Sequence, residues 1–282
     1  MIGRRAVVGL SLLSALLFCA FAAQSALAAK AVNTTLVTCK NVGVNQGDFK
    51  DEHCDEKVTP KTGSFGHVVA PLDKTTEVSA TNSGTTNGTK DHEPAVLRSK
   101  VGLTATEITC TKVENNPKES LVHNAQTETT KHTLTGTIVT LFKECTVTKP
   151  AKCKVKEPIE SRATLEGVEG LGPEANTMGV ELKGHGEGET FAEITYEGAE
   201  CALKGKTFKV TGSVVGTNGP GTEASQTNHW TGATVVFTPK KEMQKLKLGV
   251  EAAEFETIVT QTENTTKTPL AATTCTATEK VC

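Results

Sequence analysis

Apolar and polar residues alternate with period two through most of residues 95–262. Ala192, Ile194 and Tyr196 share one face, with Glu193, Thr195 and Glu197 on the other. Phe208, Val210, Gly212 and Val214 oppose Lys209, Thr211 and Ser213 in the same way. Cys153, Val155 and Ile159 recur at even spacing, as do Met178, Val180 and Leu182. Leu134–Val147 reads as one long Thr-rich strand or a pair; Ala233–Phe237 and Phe255–Thr262 read as two more. This pattern predicts strands with one wet and one dry face. Turn chemistry separates them at Lys149-Pro150, Gly170–Pro173, Gly184–Gly188 and Asn218–Gly221. Between Val101–Ala105 and Thr106–Cys110 the alternation slips phase, which predicts a β-bulge. The one helix candidate is Lys240–Leu248, two turns at most, with Leu246–Leu248 also readable as strand. Many short strands at regular spacing predict an all-β chain, an antiparallel β-sandwich (Ig-like or jelly-roll-like) rather than a closed barrel.

The flanks differ from this core. Arg4 and Arg5 precede an apolar run from Ala6 to Ala23, followed by Ala26-Leu27-Ala28. A charged start, an apolar stretch and an A-x-A site predict a signal peptide over 1–28, cut after Ala28. No later run approaches the length of a membrane-spanning helix. Residues 29–72 read as a small N-terminal unit around Cys39 and Cys54. Residues 73–94, rich in Thr, Asn, Ser and Gly, read as a polar linker or long loop. The sandwich is expected over 95–262, and a Thr-rich tail with Cys275 and Cys282 over 263–282.

Of nine cysteines the signal removes Cys19. The remaining eight, Cys39, Cys54, Cys110, Cys145, Cys153, Cys201, Cys275 and Cys282, predict four disulfides in an exported chain. Cys39–Cys54 and Cys275–Cys282 are the expected local bridges. The middle four allow Cys110–Cys145 with Cys153–Cys201, or Cys110–Cys201 with Cys145–Cys153. No C-x-x-C or H-x-x-x-H spacing suggests zinc.

Composition narrows the chemistry. The net charge is -2, and only Arg98 and Arg162 follow the signal, so nucleic acid is not an expected partner. All five aspartates, Asp48, Asp51, Asp55, Asp73 and Asp91, precede residue 92. Asp48, Asp51 and Asp55, with Glu52 and Glu56, form the one candidate metal loop, a weak calcium site or a solvated acidic turn. No G-x-S-x-G occurs, and Gly184–Gly188 around His185 reads as a hairpin turn, not a phosphate loop. Glu166, Glu169, Glu181, Glu193 and Glu200 offer carboxylates for glycoside hydrolysis, but one Trp and one Tyr leave few faces for a sugar. The candidate ligand-binding residues are Trp230, Tyr196 and His229; Trp230 is equally readable as core. No cofactor is expected.

Several stretches carry a resemblance. Cys39, then Gly47–Asp51, then Cys54; Glu157–Glu160 to Gly170–Gly172; Phe191–Phe208; and Trp230–Thr234 to Leu248-Gly249 resemble threonine-rich secreted proteins of soil actinobacteria, a group with no established activity. The resemblance implies export and a β-rich extracellular domain, and carries over no catalytic residue. The expectation is a secreted, non-catalytic protein with a structural, surface or adhesion-type role, its partner an unknown extracellular surface or glycan. The alternatives are a glycan or small-ligand binding module and a secreted hydrolase.

Overall fold

A computed structural model describes residues 34–52, 54, 56, 58–59, 61–82, 93–128, 131–169, 178–218, 234–239 and 243–274. The signal segment, Trp230, His229, Asp55, Cys275 and Cys282 lie outside these residues. The described chain is all-β, in eighteen strands without an α-helix.

Ten strands close on themselves. They are β3 (Lys74–Asn82), β4 (Ala95–Val101), β5 (Thr104–Asn115), β6 (Leu121–Glu128), β7 (Lys131–Lys149), β9 (Ile159–Glu169), β10 (Met178–Gly184), β13 (Ser213–Asn218), β14 (Thr234–Phe237) and β17 (Glu254–Glu263). Antiparallel pairing runs β7–β9–β10–β13–β14–β17. From β17 the circuit returns to β7 along two tiers, through β4 and β5 or through β3 and β6. The fold is therefore a closed barrel, which corrects the expected sandwich: no wall strand is left as an open edge. Alternation is present as expected, but the dry faces look onto one shared lumen instead of onto a facing sheet. The outward face carries Arg98, Lys100, Lys143, Glu160, Arg162 and Glu166 against an apolar interior, the reverse of a barrel built for lipid.

The walls correct further readings. Lys74–Asn82, inside the segment read as a linker, is β3 and pairs with β17 and β6. No bulge interrupts the β4–β5 pairing between Ala105 and Thr106, where the phase slip was expected; the chain instead reverses just before it in a two-residue hairpin, with Val101 opposite Thr104. Gly102, at φ +60°, takes the first turn position, where a Cβ would be strained. A true phase change lies elsewhere. Lumen-facing Ile108 and Cys110 give way to Val113 on β5, while Phe142 gives way to Cys145 on β7. At the switch Glu144 has φ +53°, and the Glu157 carboxylate accepts from the Glu144 and Cys145 amides (2.6 and 2.8 Å). Of the helix candidate, the described part is irregular chain leading into β15 (Lys247–Leu248), so the strand reading holds there.

Both barrel ends are covered. At one, β1 (Thr34–Asn41), flanked by β2 (Phe65–Val69) and β18 (Leu270–Thr274), forms a three-stranded sheet. The inward positions of the barrel meet β1 there. A Cβ on Gly167 of β9 would lie 2.5 Å from Thr34 Oγ1. The Leu134 amide donates to Thr34 Oγ1 (3.3 Å), and Asn124 of β6 binds Thr35 and Leu36. Leu36, Leu270 and Ala272 join the barrel's apolar cluster, while Val37, Cys39 and Ala271 face away under Phe49 and Phe65, where Cys39–Cys54 closes the overlying loop. At the other end β11 (Thr190–Glu197) leaves the wall at Ala192 opposite Ser161. That point is six residues back along β9 from Gly167, roughly 20 Å. β11 continues through β12 (Thr207–Thr211) and β15 to β16 (Glu251–Ala252). β16 reaches β4, where the Ser99 hydroxyl donates to the Ala252 carbonyl (2.8 Å). β8 (Lys154–Val155) pairs with β11, and Cys153–Cys201 fastens this layer.

Among the described residues three disulfides are formed: Cys39–Cys54, Cys110–Cys145 and Cys153–Cys201. The middle four cysteines thus follow the first of the two expected pairings. Such bridges persist in oxidising compartments.

Candidate functional site

The barrel encloses an internal cavity of about 130 Å³. Nine of the ten wall strands contribute to it, and Phe191, Ile194, Val210 and Leu246 close it from the covering layer. Phe142 and Phe255 meet edge to face within it, ring centroids 6.0 Å apart, and Phe237 packs on Phe255 at 5.8 Å. The lining is otherwise Val, Ile, Leu and Ala, together with the Cys110–Cys145 bridge. Its polar members are Asn115, Thr140, Ser161, Thr257 and Gln261. Among the described residues no Asp, Glu, Lys, Arg or His lines the space. The cavity can therefore hold an uncharged apolar body, but it offers no acid–base pair.

Buried polar side chains frame this space by completing the wall where strands run out. Asn82, at the end of β3, donates to the Glu93 and Thr111 carbonyls and accepts from the Val113 amide. Ser120, fully buried between β5 and β6, accepts from the Val139 amide and donates to its carbonyl. Gln244 accepts from the Phe255 amide (2.7 Å) and donates to the Thr238 and Phe255 carbonyls. Each satisfies ladder groups that an ended strand leaves open. Asn124 holds the cover: its Oδ1 accepts from Thr35 Oγ1 (2.9 Å) and the Leu36 amide (3.2 Å), and its Nδ2 donates to the Ala70 carbonyl (3.2 Å). Because the Leu36 amide can only donate, the Asn124 orientation is fixed. The Thr35 hydrogen goes to Asn124, so His132 Nδ1, 3.2 Å from Thr35 Oγ1, carries the proton and donates. Burial lowers the His132 pKa, opposed by Asp73. The sequence reading missed all five of these residues. Their signal was a polar residue at an inward strand position, as in Val122-His123-Asn124.

The candidates named from sequence are scattered. Tyr196 is fully buried and edge-packed on Phe208 (5.9 Å), so it presents no binding face. Burial raises its pKa, and its hydroxyl lies by Thr106 without hydrogen-bond geometry. Asp48 pairs with Lys61 (3.1 Å), and Asp51 accepts the Glu56 amide (2.7 Å). Among the described residues no three His, Cys, Asp or Glu side chains come together as metal ligands. Glu166 and Glu181 oppose each other on the outer wall, away from the lumen. Glu200 pairs with Lys152, and Glu193 sits opposite Lys209. His185 is exposed in its turn. Arg98 bonds Glu256 (2.6 Å) and Glu107 (3.1 Å); Arg162 bonds Glu119 (2.8 Å). Both guanidinium pKa values are raised, by Glu256 and by Glu119 first. No helix among the described residues is long and apolar enough to cross a membrane. Compared with known proteins, the chain matches no family model, no curated sequence and no solved structure.

Proposed function

We propose that the protein is exported and non-catalytic, and that its barrel carries a small apolar molecule in the lumen. The observation that carries this reading is the apolar cavity of about 130 Å³, walled by the barrel and covered at both ends. At about 24 cal/mol per Å³, an empty space of that size costs on the order of 3 kcal/mol, as much as a disulfide contributes. A purely structural or adhesive protein gains nothing from bearing that cost. A ligand that fills the space recovers it. Apolar cavities of this size stay dry and take guests of about benzene's volume.

The other readings have less support. A glycan platform rested on Trp230 and Tyr196, and Tyr196 is sealed in the core. A hydrolase needs converging ionisable groups, and the described residues that line the cavity include none. Three disulfides and the apolar N-terminal segment support export. The test is thermal unfolding of purified, oxidised protein with and without saturating toluene. Toluene should raise Tm, and Ala80→Leu, which fills the lumen, should abolish the shift while the protein stays folded. An unchanged Tm in toluene, with no transfer of its NMR signals to the protein, would sink the proposal.

A further inference from the structure

The lumen is not uniformly apolar, and its polar groups are not scattered. On β5, β7 and β9 they are neighbours: Asn115 pairs with Thr140, and Thr140 pairs with Ser161. Thr140 Oγ1 donates to Asn115 Oδ1 (3.0 Å), leaving the Asn115 amide hydrogens to the lumen. The row extends the other way. Thr81 pairs with Glu114, which sets Ala80 beside Asn115, and Ala80 pairs with Gln261 of β17. Four residues along β17 on the same face, past Val259, stands Thr257. Its side-chain oxygen is buried without a hydrogen-bond partner, and the residue is 4% exposed. A buried hydroxyl left unpartnered is destabilising, and native structures rarely tolerate one without a use. Donors and acceptors thus follow part of one circuit of the wall from Ser161 to Gln261, with Thr257 set off from it along β17 and Phe142, Phe255 and Phe237 among the apolar remainder.

We infer that the lumen selects a neutral molecule with an apolar body and one hydroxyl or carbonyl group, a phenol or short-chain alcohol, whose polar atom bonds to this row. The inference rests on the lumen being a binding site. An apolar cavity rejects a hydroxyl because nothing replaces its water. Here Thr257, Ser161 and the Asn115 amide replace it. A carboxylate is disfavoured, because no cation among the described residues lines the space to offset its desolvation.

Isothermal titration of the oxidised protein with toluene, phenol and benzoate separates the possibilities, since toluene and phenol are near-isosteres. Phenol should bind at least as tightly as toluene, and benzoate at neutral pH should not bind. Thr257→Val removes no bond within the protein, so its fold is expected to persist; Ser161→Ala is the second variant. The one whose side chain bonds the phenol hydroxyl should weaken phenol about tenfold, the equivalent of one hydrogen bond, and both should leave toluene unchanged. Toluene binding without phenol, benzoate binding, or phenol binding unchanged in both variants would overturn the selectivity while leaving the lumen a binding site. If neither toluene nor phenol binds, the lumen reading falls and the selectivity falls with it.

Discussion

Replacing Asn124 by Ala should loosen the cover formed by β1, β2 and β18 while leaving the barrel wall paired. The side chain is 1% exposed and makes three hydrogen bonds, to Thr35, Leu36 and Ala70. Truncation leaves at least the Leu36 amide and the Ala70 carbonyl without these partners. At about 1–3 kcal/mol for each buried group left unsatisfied, the loss is on the order of 4 kcal/mol. That is a large part of the roughly 5–15 kcal/mol that holds a domain folded. Urea unfolding of the oxidised variant reads the magnitude, and hydrogen exchange reads the location. The Leu36–Thr38 amides should exchange faster, with the β7 and β9 amides unchanged. A double-mutant cycle isolates the contact, because Thr35→Val should cost less in the Asn124→Ala background than in the parent, the remainder being the lost His132 bond. A stability change under about 1 kcal/mol, or equal loss of protection in wall and cover, would refute the role given to this side chain.

Three other outcomes are expected. Burial holds the His132 imidazole below its ordinary pKa, so the unfolded chain takes up a proton that the native state refuses. Stability from this group is present above about pH 6.5 and is lost as pH falls through that value; His132→Gln should flatten the dependence of urea midpoint on pH between 5 and 8, and parallel profiles would contradict the assignment. Thr257→Val, by removing an unpartnered buried hydroxyl, should stabilise the ligand-free protein by about 1 kcal/mol, checked as a rise in urea midpoint at constant slope. Gly167→Val places a Cβ 2.5 Å from Thr34 Oγ1 and should cost about 1–3 kcal/mol by overpacking. Its calorimetric Tm should fall, and by more than in Gly167→Ala.

The strands were legible because inward and outward residues alternate, as Ala192, Ile194 and Tyr196 do in β11. Closure was not. A sandwich face and a barrel lumen leave the same period-two trace, and the deciding pairs, such as Leu165 with Leu182, are set by tertiary contact. The hairpin at Gly102 was hidden because Val101 and Thr104 continue an alternating pattern across it. The lumen's polar row was hidden by composition. Thr has the shape of Val, and among 46 threonines the inward Thr140 and Thr257 look no different from those facing water. Cysteine positions fared better, since separations of 15, 35 and 48 residues join cysteines that are consecutive in the chain, in loops that do not overlap.

The cover has a consequence for biosynthesis. β1 is among the earliest strands made, yet Thr34 finds its partner in Thr274, about 240 residues later. A contact so distant is slow to form, because the chain between must first be ordered. Until then β1 is an orphan strand, ready to pair with the wrong neighbour. Three of its first five residues, Thr34, Thr35 and Thr38, are threonines that end up buried. Their hydroxyls keep the waiting strand wettable, and the bonds of Thr34 and Thr35 to Leu134, Asn124 and His132 later secure it across the mouth.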